Sequence, residues 1–325
     1  MIFGQRLMVI TIPVKRRSRK RHRVRANRAH GWALKICVYS AALALFGWAL
    51  NGQSMATGLA DVVESGPHGT INWTLGVLST SGVATPPEKS EAKSAEELQE
   101  AQKNAISLAR RHMMALVLKT RVDSERSIES LVANNDLMMT KVETLVKGVK
   151  ATGQTYLSDG TVEITMQMNM YGGFAQLVLP EEIRQIEPIK TVANGHKTAK
   201  GTLQPSDPKP EKEIFTGLVV DARGIQFSPA MAPVIVDEKA REVYGSAFAS
   251  REFAVQQGMC GYTRDMQMAG QDPRVAGKPL VVKGLGTEKG RQATIVISNA
   301  DASKIKSASE HLSFLKRCRV VIVVD

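Results

Sequence analysis

Three cysteines in 325 residues cannot knit a disulfide-rich scaffold, so any fold must rest on a buried apolar core. The six histidines are His22, His30, His68, His112, His196 and His311, and none pairs with another His or with Cys at a zinc-ligand spacing. No GxSxG nucleophile elbow occurs, and Cys260 lacks the flanking residues of a catalytic thiol. The longest apolar run, residues 36–50, falls short of the ~20 residues a spanning helix wants. Acid is missing altogether from residues 1–35, which hold eleven of the 43 Lys and Arg. The rest of the chain carries 32 basic against 31 acidic residues and is near neutral. The net charge of +12 therefore belongs to the N-terminus and does not mark a nucleic-acid-binding body.

What is present at the N-terminus has three parts. A basic stretch is followed by ICVYSAALALFGWAL at 36–50, and then by NGQSMA, with Ser54 and Ala56 in small-x-small spacing. That is the order of a secretory signal peptide, and it predicts cleavage between Ala56 and Thr57. The alternative is an uncleaved inner-membrane anchor with its basic side inside. A basic arm for nucleic acid would leave the apolar run without a role. Lipidation at Cys37 is excluded, because Leu34, Lys35 and Ile36 precede it and the apolar core follows it.

Beyond residue 56 the clearest signal is YLSDGTVEITMQMNMYGG at 156–173. Val162, Ile164, Met166, Met168 and Met170 alternate with polar residues, the period of a strand with one buried face. Asp159-Gly160 before it predicts a two-residue hairpin turn. Upstream, residues 68–80 read as one strand with Ile71, Trp73, Leu75 and Val77 on one face and Gly76 as a bulge. Ser94 is expected to cap a helix whose inward stripe includes Leu98, Ala101, Ala105, Leu108, Ala109 and Leu116. A second helical pattern from Ile128 to Val149 is interrupted near Asn134–Asp136, with Asp136 as the new cap. The order is β-α-α-β-β over residues 66–188, a two-layer unit in which the helices cover the Met-rich strand.

The segments INWTLGVLSTSG, LARRHMMALVL and VETLVKGVKATGQTYLSDGTVEITMQMNMYGG, in that order, resemble the Lpp-twenty-type lipoprotein family. That family is related to the N-terminal domain of the flagellar assembly T protein. The resemblance covers roughly residues 70–175. It implies an exported envelope protein with a small α/β domain, serving flagellar or outer-membrane assemblies in some members. It carries over no catalytic residue, and the lipobox Cys common in the family is absent here.

Residues 189–213 are polar and rich in Pro, Gly and Lys, and read as a linker that leaves His196 solvated. A second α/β domain is expected over 214–325. Its strands are 214–222, a hairpin at 233–245, 279–285, 293–298 and the very apolar 320–324. Ser250 and Gly258 bound a short helix. Asp301 is expected to cap a helix with Ile305, Ala308, Leu312 and Leu315 inward, giving a mixed sheet that ends in a βαβ crossover. The sequences TGLVVDARG and MAPVIVDEKAREVYG also resemble a region that accompanies the first domain in larger uncharacterised relatives.

The overall expectation is an α+β protein of two small two-layer domains. Asp221 and Asp237 end apolar strands, where a catalytic acid could sit, but turn and cap roles fit them better. The stretch Gly284–Gly290 departs from phosphate-loop spacing and reads as a hairpin turn. The methionines of the alternating strand read as core and not as soft-metal ligands. No cofactor, metal or catalytic residue is expected. The predicted role is an exported structural or assembly protein of the periplasm or cell envelope, not an enzyme. Its expected partners are envelope proteins or further copies of itself, without nucleic acid, and it meets the membrane through the N-terminal segment where that is uncleaved. A periplasmic enzyme or ligand-binding protein, with a site assembled from distant residues, is the alternative. If the segment up to Ala56 is removed, Cys260 and Cys318 remain, and they form a candidate disulfide closing a loop of about 58 residues, worth roughly 4 kcal/mol in a chain-entropy account. The other reading makes each a small buried hydrophobe.

Overall fold

A computed structural model of the chain describes residues 60–86, 95–183, 214–307 and 309–325. The expected signal segment, its cleavage point at Ala56 and Thr57, the Ser94 cap and the linker lie outside these residues. Leu59–Asp325 forms one compact unit. Helices and strands together make the mixed α+β architecture anticipated, with a five-stranded and a seven-stranded sheet.

The first sheet is antiparallel, in the order β1 (Val63–Gly66), β2 (Gly69–Asn72), β3 (Val77–Ala84), β5 (Val162–Asn169) and β4 (Ala151–Tyr156). β5 buries Val162, Ile164, Met166 and Met168, while Gln167 and Asn169 are exposed, as its period of two requires. It pairs along its whole length with β3, setting Leu78 opposite Met168 and Thr80 opposite Met166. Helix α1 (Ala95–Lys119) lies on the buried face through Ala101, Ala105, Ala109, Met113, Leu116 and Val117, spaced as one helical stripe. The alanines let the helix come close. A Cβ on Gly82 would collide with the Ala105 carbonyl oxygen and the Ala109 amide of α1. The helix is also tied down by the Thr80 hydroxyl, which donates to Ala109 O at 3.2 Å, and by His112 Nδ1, 2.7 Å from Ser81 O.

Several local expectations change. Residues 68–80 form a hairpin, not one strand: Trp73 is buried, Leu75 is exposed at the turn, and Gly76 supplies a left-handed φ of 64°. The β4–β5 turn has three residues between the Leu157 and Thr161 pair. Positive φ falls on Gly160 alone, while Asp159 holds the Thr161 amide at 2.8 Å. The second helical pattern splits into α2 (Ile128–Val132) and α3 (Asp136–Lys147). The α3 cap is Asn135, whose side chain takes the Met138 amide, so Asp136 becomes the first helical residue. Helix α4 (Gly173–Val178) follows β5.

The second sheet is mixed. Its order is β8 (Glu242–Tyr244), β7 (Val234–Asp237), β11 (Arg291–Ile297), β10 (Pro279–Glu288), β6 (Gly217–Asp221), β12 (Val320–Val323) and β9 (Gly261–Thr263). β10, β6, β12 and β9 run parallel to one another. β6 and β12 are buried on both faces, which is why their sequences read as unbroken apolar runs. One face is covered by α7 (Asn299–Lys306) and α8 (Ser309–Lys316), through Ile305, Phe314 and Leu315. The other carries α6 (Met266–Gln271), with Ala269 and Met266 against Val219, Val321 and Val323. Helix α5 (Arg251–Gln257) precedes β9 and ends at Gly258, with a φ of 79°.

Here too the detail shifts. Two connections join parallel strands through a helix, β8–α5–β9 and β9–α6–β10. The last helices instead join β11 to a β12 that runs antiparallel to it, because β10 reverses direction against β11. The α7 cap is Ser298, which holds the Asp301 amide at 3.0 Å and donates its own hydroxyl to the Asp301 carboxylate. Asp301 is therefore the third helical residue. One expected helix is two, and Leu312 is 37% exposed where it was placed inward.

The sheets share one continuous core, and backbone bonds tie them. Met231 N and Ala232 N donate to Arg121 O and Val122 O, Arg264 N to Ala60 O, and Gly172 N to Val255 O. The Tyr171 ring fills the space over both Gly76 and Gly258, where any side chain would meet it. Trp73 packs edge-on against Tyr262 at 6.0 Å. The two halves on either side of residues 189–213 are therefore joined by a shared core and by backbone hydrogen bonds.

Candidate functional site

β6, β12 and β9 deliver their carboxyl ends to one side of the second sheet, the position where open α/β sheets form ligand crevices. The chain after β6 continues through Ala222 to a loop in which Gln226 adopts a left-handed φ of 53°. Such backbone costs about 1–3 kcal/mol in a non-glycine residue and clusters at functional sites. The loop brings Phe227 and Pro229 over the strand ends. Arg264 follows β9, and Val324 and Asp325 follow β12. The opposite wall is closed by Glu64 of β1, by Val62 just before it, by Trp73 in the β2–β3 turn and by Arg121 just after α1. Between them lies a cleft of about 320 Å³.

Its charges are arranged unevenly. Arg121 is held from three sides: Nη2 pairs with Glu64 Oε2 at 2.6 Å, Nε donates to Pro229 O at 3.0 Å, and the guanidinium lies 5.9 Å from the Trp73 ring centre. Glu64 also accepts from Trp73 Nε1 at 3.1 Å, so its charge is spent on fixed partners. Asp325 accepts the Gly224 amide at 2.9 Å. The Arg264 guanidinium is exposed and has no hydrogen-bond or ion-pair partner among the described residues. These residues come from positions 64 to 325 and form no local motif. The single faint signal in the sequence was Trp73, one of three tryptophans, placed just before a glycine turn.

Cys260 and Cys318 are both free and buried, which corrects the candidate disulfide. The Cys260 thiol faces the Tyr262 hydroxyl, and the Cys318 thiol faces the Tyr244 hydroxyl. Cys318 itself is held at a left-handed φ of 54°. Arg274 fastens both neighbourhoods by donating to Gly258 O at 3.0 Å and Cys318 O at 3.1 Å. Burial pushes the Cys260 thiol up to about 12 and the Cys318 thiol up to about 11, so neither is a ready nucleophile. Burial likewise raises Tyr244 and Tyr262 well above their ordinary value. The neighbouring cavity, lined by Tyr171, Met259, Cys260 and Tyr262, holds about 20 Å³, room for roughly one water.

The other candidates take structural roles. Asp221 is gripped bidentately by Arg223 at 2.8 and 2.9 Å, and this hydrogen bonding holds its carboxyl below the usual range. Asp237 is 1% exposed and closes the β7–β8 turn by accepting the Lys239 and Arg241 amides and the Arg241 guanidinium. Burial raises its pKa, and those bonds outweigh it, leaving a net lowering. Gly284–Gly290 is the β10–β11 hairpin, with a bulge at Gly284 and a φ of 77° at Gly290. His311 Nε2 accepts the Phe215 amide at 3.1 Å, so its proton sits on Nδ1, 3.2 Å from Lys304 O. His112 and His68 do meet, with ring centres 5.5 Å apart, although 44 positions separate them. Among the described residues no three His, Cys, Asp or Glu converge to hold a metal.

Residues 217–325, the span of the mixed sheet from the first residue of β6 onward, match the family described as Treponema pallidum Tp0624, second domain. No curated protein matches the chain.

Proposed function

We propose that the chain is an exported structural or assembly protein of the cell envelope, with a first half of the Lpp-twenty type. The observation that carries this reading is the outer edge of the first sheet. β4, ATGQTY, is exposed at all six positions, pairs with β5 on one side, and contains no charge and no proline. Proteins blunt open edges with Lys, Pro and bulges, and here a bulge interrupts only the Ala151–Gly153 end. An edge left open among the described residues suits strand addition by an envelope partner. The basic, apolar and small-residue order at the N-terminus supports export. No helix of the described residues is long and apolar enough to cross a membrane.

Crosslinking in intact envelopes, followed by capture of the chain, is expected to recover a stoichiometric partner. Gln154→Pro, which removes an outward-facing amide at a position that exchanges no ladder hydrogen bond with β5, should abolish that capture. Full-length, unprocessed protein in the soluble cytosol, or capture indifferent to Gln154→Pro, would overturn the reading. A ligand-binding role is the second reading, favoured by the cleft at the strand ends.

A further inference from the structure

We infer that the cleft between the two sheets is a binding site for a monocarboxylate with an apolar body, anchored by Arg264. The inference stands apart from the assembly reading, since it concerns a different face and a different kind of partner. The cleft volume of about 320 Å³ sits at the small end of ligand pockets. Its walls are mostly polar, from Glu64, Arg121, Ser228, Arg264 and Asp325, with a smaller apolar part from Phe227, Val63 and Pro229.

Charge selects the ligand. Two guanidinium groups and two side-chain carboxylates line the cleft, so a doubly charged phosphate would meet Glu64 and Asp325 as well as the arginines. Arg121 is already neutralised by Glu64 and oriented by Pro229 O and Trp73. That leaves one guanidinium whose donors lack an acceptor, a match for one carboxylate held through two parallel hydrogen bonds. The strained Gln226 shows that the loop carrying Phe227 is held in place against its own backbone preference, as a preformed wall requires. The chemistry fits both a free hydrophobic acid and the C-terminal end of a peptide.

The full chain should be titrated by calorimetry with 3-phenylpropanoate and with N-acetyl-Ala-Phe, each beside its amide. Both acids are expected to bind, and each amide to bind at least about tenfold more weakly. Tighter binding of the dipeptide acid would identify a peptide end as the source, and the reverse a small acid. Arg264→Gln should weaken the acids by at least about tenfold without changing the thermal midpoint, because its side chain supports no fold contact. Arg264→Lys should recover part of the loss, keeping the charge without the fork. Absence of saturable binding up to about 10 mM acid, equal binding of acid and amide, preference for inorganic phosphate, or indifference to Arg264→Gln would each overturn the assignment.

Discussion

The two sheets solve burial differently. In the first, β5 shows the core one row of side chains, Val162, Ile164, Met166 and Met168, and turns the other row outward. In the second, β6 is enclosed between helices, with Leu218 and Val220 in the main core and Val219 in a smaller cluster with Ala269, Val275, Val321 and Val323. Neighbouring positions are therefore chemically unequal on β5 and equal on β6, while β10, nearer the rim of the second sheet, alternates as β5 does. This difference comes from connectivity: hairpins leave one face of an antiparallel sheet open, whereas crossovers lay helices over both faces of parallel strands.

The largest test strikes the enclosed strand. Val219→Asp and Val220→Asp should each cost more than about 4 kcal/mol, because either buries an unpaired charge. Urea unfolding of the two variants should show comparable losses, or no folded protein at all. A mild effect at Val219 would mean that α6 does not seal its face. The same pair of neighbours on β5 should diverge. Met166→Asp, at a position 1% exposed, should cost several kcal/mol, and Thr165→Asp less than about 1 kcal/mol. Equal losses there would show that the register is shifted by one residue.

Legibility followed the same division. The period of two in β5 and the unbroken apolar runs of β6 and β12 identified their strands and their burial, because each pattern is a local consequence of which faces are covered. Turns and caps were read less well. Gly76 looked like a bulge within a strand, but its left-handed backbone turns a hairpin under Tyr171, a residue 95 positions away. Asn135 displaced Asp136 as a cap because either side chain can take the amide, and the choice rests on backbone geometry. The cleft was not readable at all. Glu64, Trp73, Arg121 and Arg264 acquire a shared role through the backbone bonds that seat Arg121–Val122 against Met231–Ala232, and no local pattern encodes such a seam.

A third test concerns how closely the first sheet holds its helix. Gly82 has an ordinary extended backbone, so what forbids a side chain there is space alone: a methyl would strike the backbone of Ala105 and Ala109. Helix backbone cannot step aside as a flexible side chain can. Gly82→Ala should cost about 2–3 kcal/mol, with α1 displaced from β3. Gly286, on the second sheet, has nothing within 4 Å of where its Cβ would lie, and Gly286→Ala there should be nearly neutral. Similar losses at both glycines would show that the cost is conformational and not steric.

The smallest effect tests whether the sheets unfold as one. The buried thiols lie in the second sheet, with pKa raised from 9.0 to about 12 at Cys260 and about 11 at Cys318. A thiol raised in the folded state stabilises it fully below its unfolded pKa, and that contribution is lost as pH rises towards the folded value. The window therefore opens near pH 9 and closes near 11 for Cys318 and near 12 for Cys260. Well inside it each thiol should remove about 1.4 kcal/mol of stability per pH unit, and by pH 9.5 the two together should have removed about 1.6 kcal/mol. Urea midpoints between pH 8 and pH 10 should fall along that curve, and a Cys260→Ala, Cys318→Ala variant should fall less steeply from a lower start. Tyr244 and Tyr262, raised by the same burial, add to the loss only above their ordinary value of 10.0, which separates the two contributions. Because the core is continuous and backbone bonds cross the seam, amides of β5 should lose hydrogen-exchange protection in step with those of β6 when both exchange through global unfolding. Loss confined to β6 would show two folding units behind one compact shape.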